Sequence, residues 1–172
     1  NYQRTAEVTD QQIGQILSVL QQQGKLANTV VIITAQHGVA LSGDNNSDGN
    51  RQLLQVPLVV HWPSTPAQAV ENRTDHQDIM TTLMQRLLHV TTAPENYSQG
   101  DDLFSPQQQH HWVTASDNNN RLIITTPHST LVLDNDGNYT TYDVEGQRLR
   151  IQKPELGLLL QVLTEEKRFI AN

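Results

Sequence analysis

The segment Asn28-Thr29-Val30-Val31-Ile32-Ile33-Thr34-Ala35-Gln36-His37-Gly38 constrains the fold of this chain more than any other. A polar turn leads into an apolar, β-branched run, Val30 to Ile33, that reads as a strand buried on both faces. The run stops abruptly in Gln-His-Gly. Open α/β sheets bind their ligands at the carboxyl ends of strands, so Gln36 and His37 are the first residues to weigh as a site. An aspartate in place of Gln36 would give a metal-binding corner of adjoining carboxylate and imidazole. Glutamine is neutral and supplies none of the charge that a divalent ion needs. The competing reading is a polar strand end whose histidine bonds to backbone, and the residues alone favour it.

The surroundings of this strand are readable from periodicity. Ile13, Ile16, Leu17 and Leu20 share one face of a helix over residues 5–23, which Gly24 ends with a left-handed cap. A polar segment over 41–52 reads as a loop. A second strand covers 56–63, with Pro57 at its start, where a missing N–H is tolerated. Thr74 or Asp75 caps a helix running to His89, with Ile79, Met80, Leu83, Met84, Leu87 and Leu88 forming a broad apolar face. Residues 91–110 are irregular and read as a linker. Four short strands follow, at 112–115, 121–125, 130–133 and 139–143, and Asp136-Gly137 marks a hairpin between the last two. A last helix begins at Pro154 and ends near Arg168, with Leu156, Leu159, Leu160 and Leu163 on one face. The expected organisation is an α/β core over 1–90, a linker over 91–110, and a small antiparallel sheet plus C-terminal helix over 111–172.

Charge and composition remove several function classes. Against 18 Asp and Glu stand 11 Lys and Arg, a net charge of -7, which argues against nucleic acid and against direct adhesion to an anionic bilayer. There is no cysteine, hence no disulfide and no thiolate metal site. No apolar run is long enough to span a membrane. A hydrophobic content of 36% is low for a self-sufficient globule. The chain begins at Asn1 rather than Met, so it is expected to be a processed or excised piece with any anchor upstream.

Other candidates are weaker. His61 ends the second strand and would lie near His37 if the two strand ends met; beside Trp62 it also suits simple packing. Asp75-His76-Gln77-Asp78 offers several ligand types, but carboxylates at a helix start are explained by capping and the helix dipole. His110 and His111 precede Trp112, and strand alternation puts their rings on opposite faces, so no joint site is expected. The run from Asp44 to Gly49 lacks the glutamate that a calcium loop requires at its twelfth position, which is Gln55. Asn-x-Ser/Thr triplets start at Asn45, Asn72, Asn96 and Asn138, as chance provides in a chain this rich in Asn.

Taken as a set, Asp10-Gln11-Gln12-Ile13-Gly14, the stretch Lys25 to Gly38, Val56 to Pro63 and Thr74 to Leu83 resemble the C-terminal half of sulfatases of the alkaline phosphatase superfamily. Leu54 to Pro63, Met80 to Val90 and Leu158 to Asn172 further resemble a branch of inner-membrane, sulfatase-like proteins of enteric bacteria. That resemblance implies a longer parent: a membrane-spanning N-terminal region, a linker, and a periplasmic domain whose C-terminal part is this chain. It implies a role in sensing lipopolysaccharide or lipid A, in cardiolipin and outer-membrane lipid homeostasis, and a regulatory membrane-protein partner that governs proteolysis of the lipid A deacetylase. The family's metal-ligand Asp falls on Gln36, and its ligand His on His37, a remnant. The nucleophile falls upstream of Asn1, so no catalytic residue is expected here. Arg51 is the nearest counterpart of the family's basic substrate-binding residue, with His61 beside it as a further substrate-binding candidate.

No cofactor is expected for this chain, and a divalent cation (Mg, Mn, Ca or Zn) only in the complete domain. The upstream half of the same protein is the expected partner. The favoured function is a non-catalytic periplasmic module; the alternatives are a metal-dependent hydrolase or transferase of sulfate or phosphate esters, and a purely structural spacer.

Overall fold

The computed structural model describes residues 2–38, 51–117, 119–150 and 155–169. The expected loop over 41–52 and Pro154 therefore lie wholly or largely outside the described residues. The chain divides into two compact units, one made of residues 1–38 and 55–68, the other of 39–54 and 69–172.

The first unit holds α1 (Tyr2–Gln22), β1 (Val31–Thr34) and β2 (Leu58–His61). α1 closes as the glycine foretells. Gly24 takes φ 66°, the Lys25 N–H reaches the Leu20 carbonyl at 2.8 Å, and the Gly24 N–H reaches Gln21 at 3.0 Å. That is the paired bonding of a Schellman cap. β1 and β2 pair antiparallel, with Val31 opposite His61 and Thr34 opposite Leu58. Pro57 stands just before β2, outside the ladder. Ile13, Leu17 and Leu20 are half-buried, whereas Ile16 is 60% exposed. β1 was expected to be buried on both faces; it is only half-buried, and Val59 of β2 is 57% exposed. A two-stranded ribbon with one helix cannot cover two sheet faces, and no described residue of this unit is buried.

The second unit carries the core. Asp75 caps α2 (His76–Thr82): its carboxylate accepts the Gln77 N–H at 2.9 Å, while Asp78 Oδ2 accepts the Asp75 N–H at 2.9 Å. This reciprocal arrangement is a capping box. The helix does not run on regularly to His89. It widens into a π-helical turn over Leu83–Leu87 and stops at His89, φ 53°. Thr82 Oγ1 donates back to the Asp78 carbonyl at 2.7 Å and accepts the Leu103 N–H at 2.9 Å, the kind of side-chain bonding that perturbs a helix. The buried face of α2 is also polar, made of Asp78, Thr81 and Thr82, while Met80, Leu87 and Leu88 are exposed.

Residues 97–111 pack rather than dangle. Ser98, Asp101 and Leu103 are buried, and Thr81 Oγ1 reaches Ser98 Oγ at 2.8 Å and the Gly100 carbonyl at 2.9 Å. β3 (Val113–Ser116), β4 (Leu122–Thr125), β5 (Thr130–Leu133) and β6 (Tyr139–Tyr142) then form an antiparallel meander in chain order. The Asp-Gly hairpin is as expected: Gly137 has φ 85°, and Asp134 Oδ1 accepts the N–H groups of Asp136 and Asn138 at 3.0 and 2.8 Å. Alternation sends Trp112, Leu122, Ile124 and Leu131 to one face and Ala115, Ile123, Val132 and Tyr142 to the other.

α3 (Leu156–Glu166) covers the first of these faces through Leu158, Leu159 and Val162, the last only 1% exposed. The expected stripe is corrected: Leu156 and Leu160 are 66% and 65% exposed. Glu165 and Glu166 continue the 158–162 stripe by one turn, and both are bonded to the sheet side of the unit, which selects the helix face.

Candidate functional site

The strand-end corner comes first. Gln36 and His37 follow β1 in a bend, and both are exposed. His37 Nδ1 lies 3.0 Å from the carbonyl of Gly38. Since a carbonyl only accepts, Nδ1 carries the proton in this contact, and in the neutral ring the lone pair is on Nε2. That tautomer is the one a metal-ligating histidine uses. Gln36 beside it is a neutral amide. The pair fits one ligand of a divalent cation and no more, and among the described residues no group of three or more His, Cys, Asp or Glu is placed to hold a metal.

His61 does not join this corner. β1 and β2 are neighbours, but antiparallel, so His61 pairs with Val31 at the opposite end from Gln36. At about 3.4 Å per residue the ribbon alone separates the two strand ends by roughly 10 Å. His61 Nε2 instead donates to the Leu26 carbonyl at 3.0 Å and ties the turn before β1 to the end of β2. Arg51 is also committed elsewhere in its own unit. Its Nε donates to Thr130 Oγ1 at 2.9 Å, and Nη2 donates to the Thr126 carbonyl at 3.0 Å. Burial, then the nearby Arg73, lower its pKa from the ordinary guanidinium value. Its hydrogen bonds hold the β4–β5 turn.

The densest polar cluster lies in the second unit, and sequence reading left its members separate. Asp78 Oδ1 accepts the Asp101 N–H at 2.6 Å. Asp101 Oδ2 accepts the N–H groups of Gln109 and His110, each at 3.1 Å. The His110 ring stands between two carboxylates, with Nδ1 3.4 Å from Asp101 Oδ2 and Nε2 3.0 Å from Glu165 Oε2. Trp112 meets that ring edge-on, centroids 4.7 Å apart. His111, exposed, meets Trp112 edge-on as well, at 5.1 Å. The only local signal for the cluster was the Asp75–Asp78 spacing, which capping fully accounts for; Asp101 and Glu165 arrive from remote sequence.

Burial, then the carboxylates of Asp75 and Asp101, push Asp78 from 3.8 up to about 7. A carboxyl group whose folded pKa is raised stabilises the fold below its unfolded value and loses that contribution as pH rises through the folded one. Resistance of the second unit to urea is therefore expected to fall between about pH 4 and about pH 7 from this group. Asp78→Asn cannot ionise, and the midpoint measured across that window is expected to lose most of the slope. An unchanged slope would show that Asp78 is not the group responsible.

The sulfatase family model matches residues 1–90. The chain is 56% identical over 172 residues to the inner membrane protein YejM of Salmonella typhimurium and to that of Salmonella typhi, covering 99% of this chain and 29% of each relative. It is 30% identical over 174 residues to an uncharacterized protein of Haemophilus influenzae, covering 98% of this chain and 29% of that protein. The chain thus spans under a third of the length of these relatives. Among the described residues no helix is long and apolar enough to cross a membrane. With the helix, the two strands and the capped α2 all inside the matched region, the chain belongs to the sulfatase family.

Proposed function

We propose that this chain is the C-terminal part of a periplasmic, sulfatase-like domain in a longer inner-membrane protein, and that the domain works as a non-catalytic module. The observation that carries the reading is Gln36, a neutral amide at the strand end where the sulfatase pattern has its metal-ligand carboxylate. Placement at the inner membrane is supported by the 56% identity to proteins named for that location. In this reading the parent takes part in lipopolysaccharide or lipid A sensing and outer-membrane lipid homeostasis. Its partners are the upstream half of the same polypeptide, a lipid A or cardiolipin surface reached through the parent, and a regulatory membrane protein. The -7 charge of this part supports assigning the lipid contacts to other segments.

A second reading, a metal-dependent hydrolase or transferase of sulfate or phosphate esters, is favoured by His37, an exposed ring whose Nδ1 bonds to the Gly38 carbonyl and whose Nε2 carries the lone pair when neutral. The complete periplasmic domain separates the two. Purified with divalent metal present, it is expected to hold no stoichiometric ion and to leave aryl sulfates and aryl phosphates at the buffer rate. Gln36→Asp is expected to raise divalent-ion affinity by about tenfold or more, because it restores the missing charge. Metal-dependent ester cleavage lost in His37→Ala would overturn the non-catalytic reading.

A further inference from the structure

We infer that His110 is a proton-loaded clasp for the C-terminal helix: doubly protonated, it ties Asp101 to Glu165 of α3, and loss of one proton releases one of those two ties. The ring is positioned for this and little else. Both of its nitrogens face carboxylate oxygens, at 3.4 and 3.0 Å. A carboxylate only accepts, and a neutral imidazole has one N–H to give. Only the imidazolium carries a charge and a proton toward both sides at once. The Trp112 edge at 4.7 Å restricts the ring's rotation, and the side chain is 18% exposed.

The two ties are unequal in what they hold. Asp101 keeps the backbone N–H groups of Gln109 and His110 whatever the ring does. Glu165 has two further ties, its Oε1 accepting from Gln161 one turn earlier at 3.2 Å and its carbonyl accepting from the distant Gln99 side chain. The remaining grip on α3 is the apolar stripe of Leu158, Leu159 and Val162, plus the bond from Thr114 Oγ1 to Glu166 Oε1 at 3.1 Å. The groups lining the same cavity are Glu166 from α3, Asp75 and Asp78 from the start of α2, and Arg73 before it. Carboxyl groups outnumber cations there. The cavity is about 20 Å³, room for about one water molecule.

Hydrogen exchange of the whole chain, corrected for intrinsic amide chemistry, tests the clasp between about pH 5 and about pH 8, where an imidazole changes charge. Protection of α3 relative to β4 and β5 is expected to fall by about tenfold as pH rises, the size of one charge-assisted tie. His110→Gln is expected to flatten that dependence, and Asp78→Asn to keep it. A full slope in His110→Gln, a slope lost in Asp78→Asn instead, or equal losses in α3 and in β4–β5 would each overturn the clasp. Should His110→Gln lose protection in β4 and β5, the nitrogen resonances of the wild-type ring decide. Protonation of both nitrogens at about pH 5.5 supports the clasp, and one bare nitrogen there sinks it.

Discussion

Replacing Gly100 by alanine is expected to destabilise the second unit by about 3 kcal/mol, the upper end of what overpacking costs. An ideal Cβ on Gly100 would sit 2.2 Å from the carbonyl carbon of Gln77, 2.3 Å from its oxygen and 2.4 Å from the Asp78 nitrogen. All three are backbone atoms in the first turn of α2, so no side chain can swing aside. The approach is held from both directions. Thr81 Oγ1 donates to the Gly100 carbonyl at 2.9 Å, the Gly100 N–H reaches Ser98 Oγ at 3.0 Å, and the next amide, Asp101, bonds to Asp78. Relief of the clash therefore breaks the capping box, the Thr81 bridge or the Asp78–Asp101 bond, each a buried or part-buried interaction. Urea titration followed by Trp112 fluorescence measures the loss. A shift below about 0.5 kcal/mol, the range of a neutral surface change, would show that residues 98–101 do not grip α2 as drawn.

Amide exchange in this 172-residue chain is expected to be about a hundredfold faster or more in α1, β1 and β2 than in β4 and β5. The first unit has no buried residue among those described, whereas Ile123, Ile124 and Thr125 of β4 are all buried, as are Thr130 and Val132 of β5. A helix draws most of its stability from packing its apolar face, and an isolated two-stranded ribbon is marginal in water. The Schellman cap after α1 and the His61–Leu26 bond organise the unit locally but bury little. Val59, exposed on β2, and Ile16, exposed on α1, are surfaces that a larger sulfatase core has the means to cover. Exchange as slow in β1 and β2 as in β4 would mean that the unit is stable without such cover.

Much of the local structure was legible because its causes are local. Gly24, with its left-handed φ, ends α1, Asp75 with Asp78 starts α2, and Asp134 with Gly137 turns the β5–β6 hairpin; each acts within a few residues. Burial patterns that depended on remote partners were read less well. Leu156 and Leu160 have the right spacing for a buried face, yet α3 turns them outward because Glu165 and Glu166 find partners on the sheet side. The apolar face read along residues 79–88 gave way to a polar one, since Asp78, Thr81 and Thr82 bond to the segment that passes over α2.

The candidate site divides in the same way. Sequence by itself determined that Gln36 and His37 stand side by side at a strand end, and that the chain is of sulfatase type. The first depends only on residue order along one strand, the second on a set of segments within residues 1–90. Only the tertiary structure decided that His61 lies at the far end of the ribbon, because strand direction is a property of pairing and not of either strand. Likewise only the fold brought His110 between Asp101 and Glu165, one of them 55 residues away. Such a contact needs the meander, the segment over α2 and the chosen face of α3 all in register, and no local pattern encodes the three together.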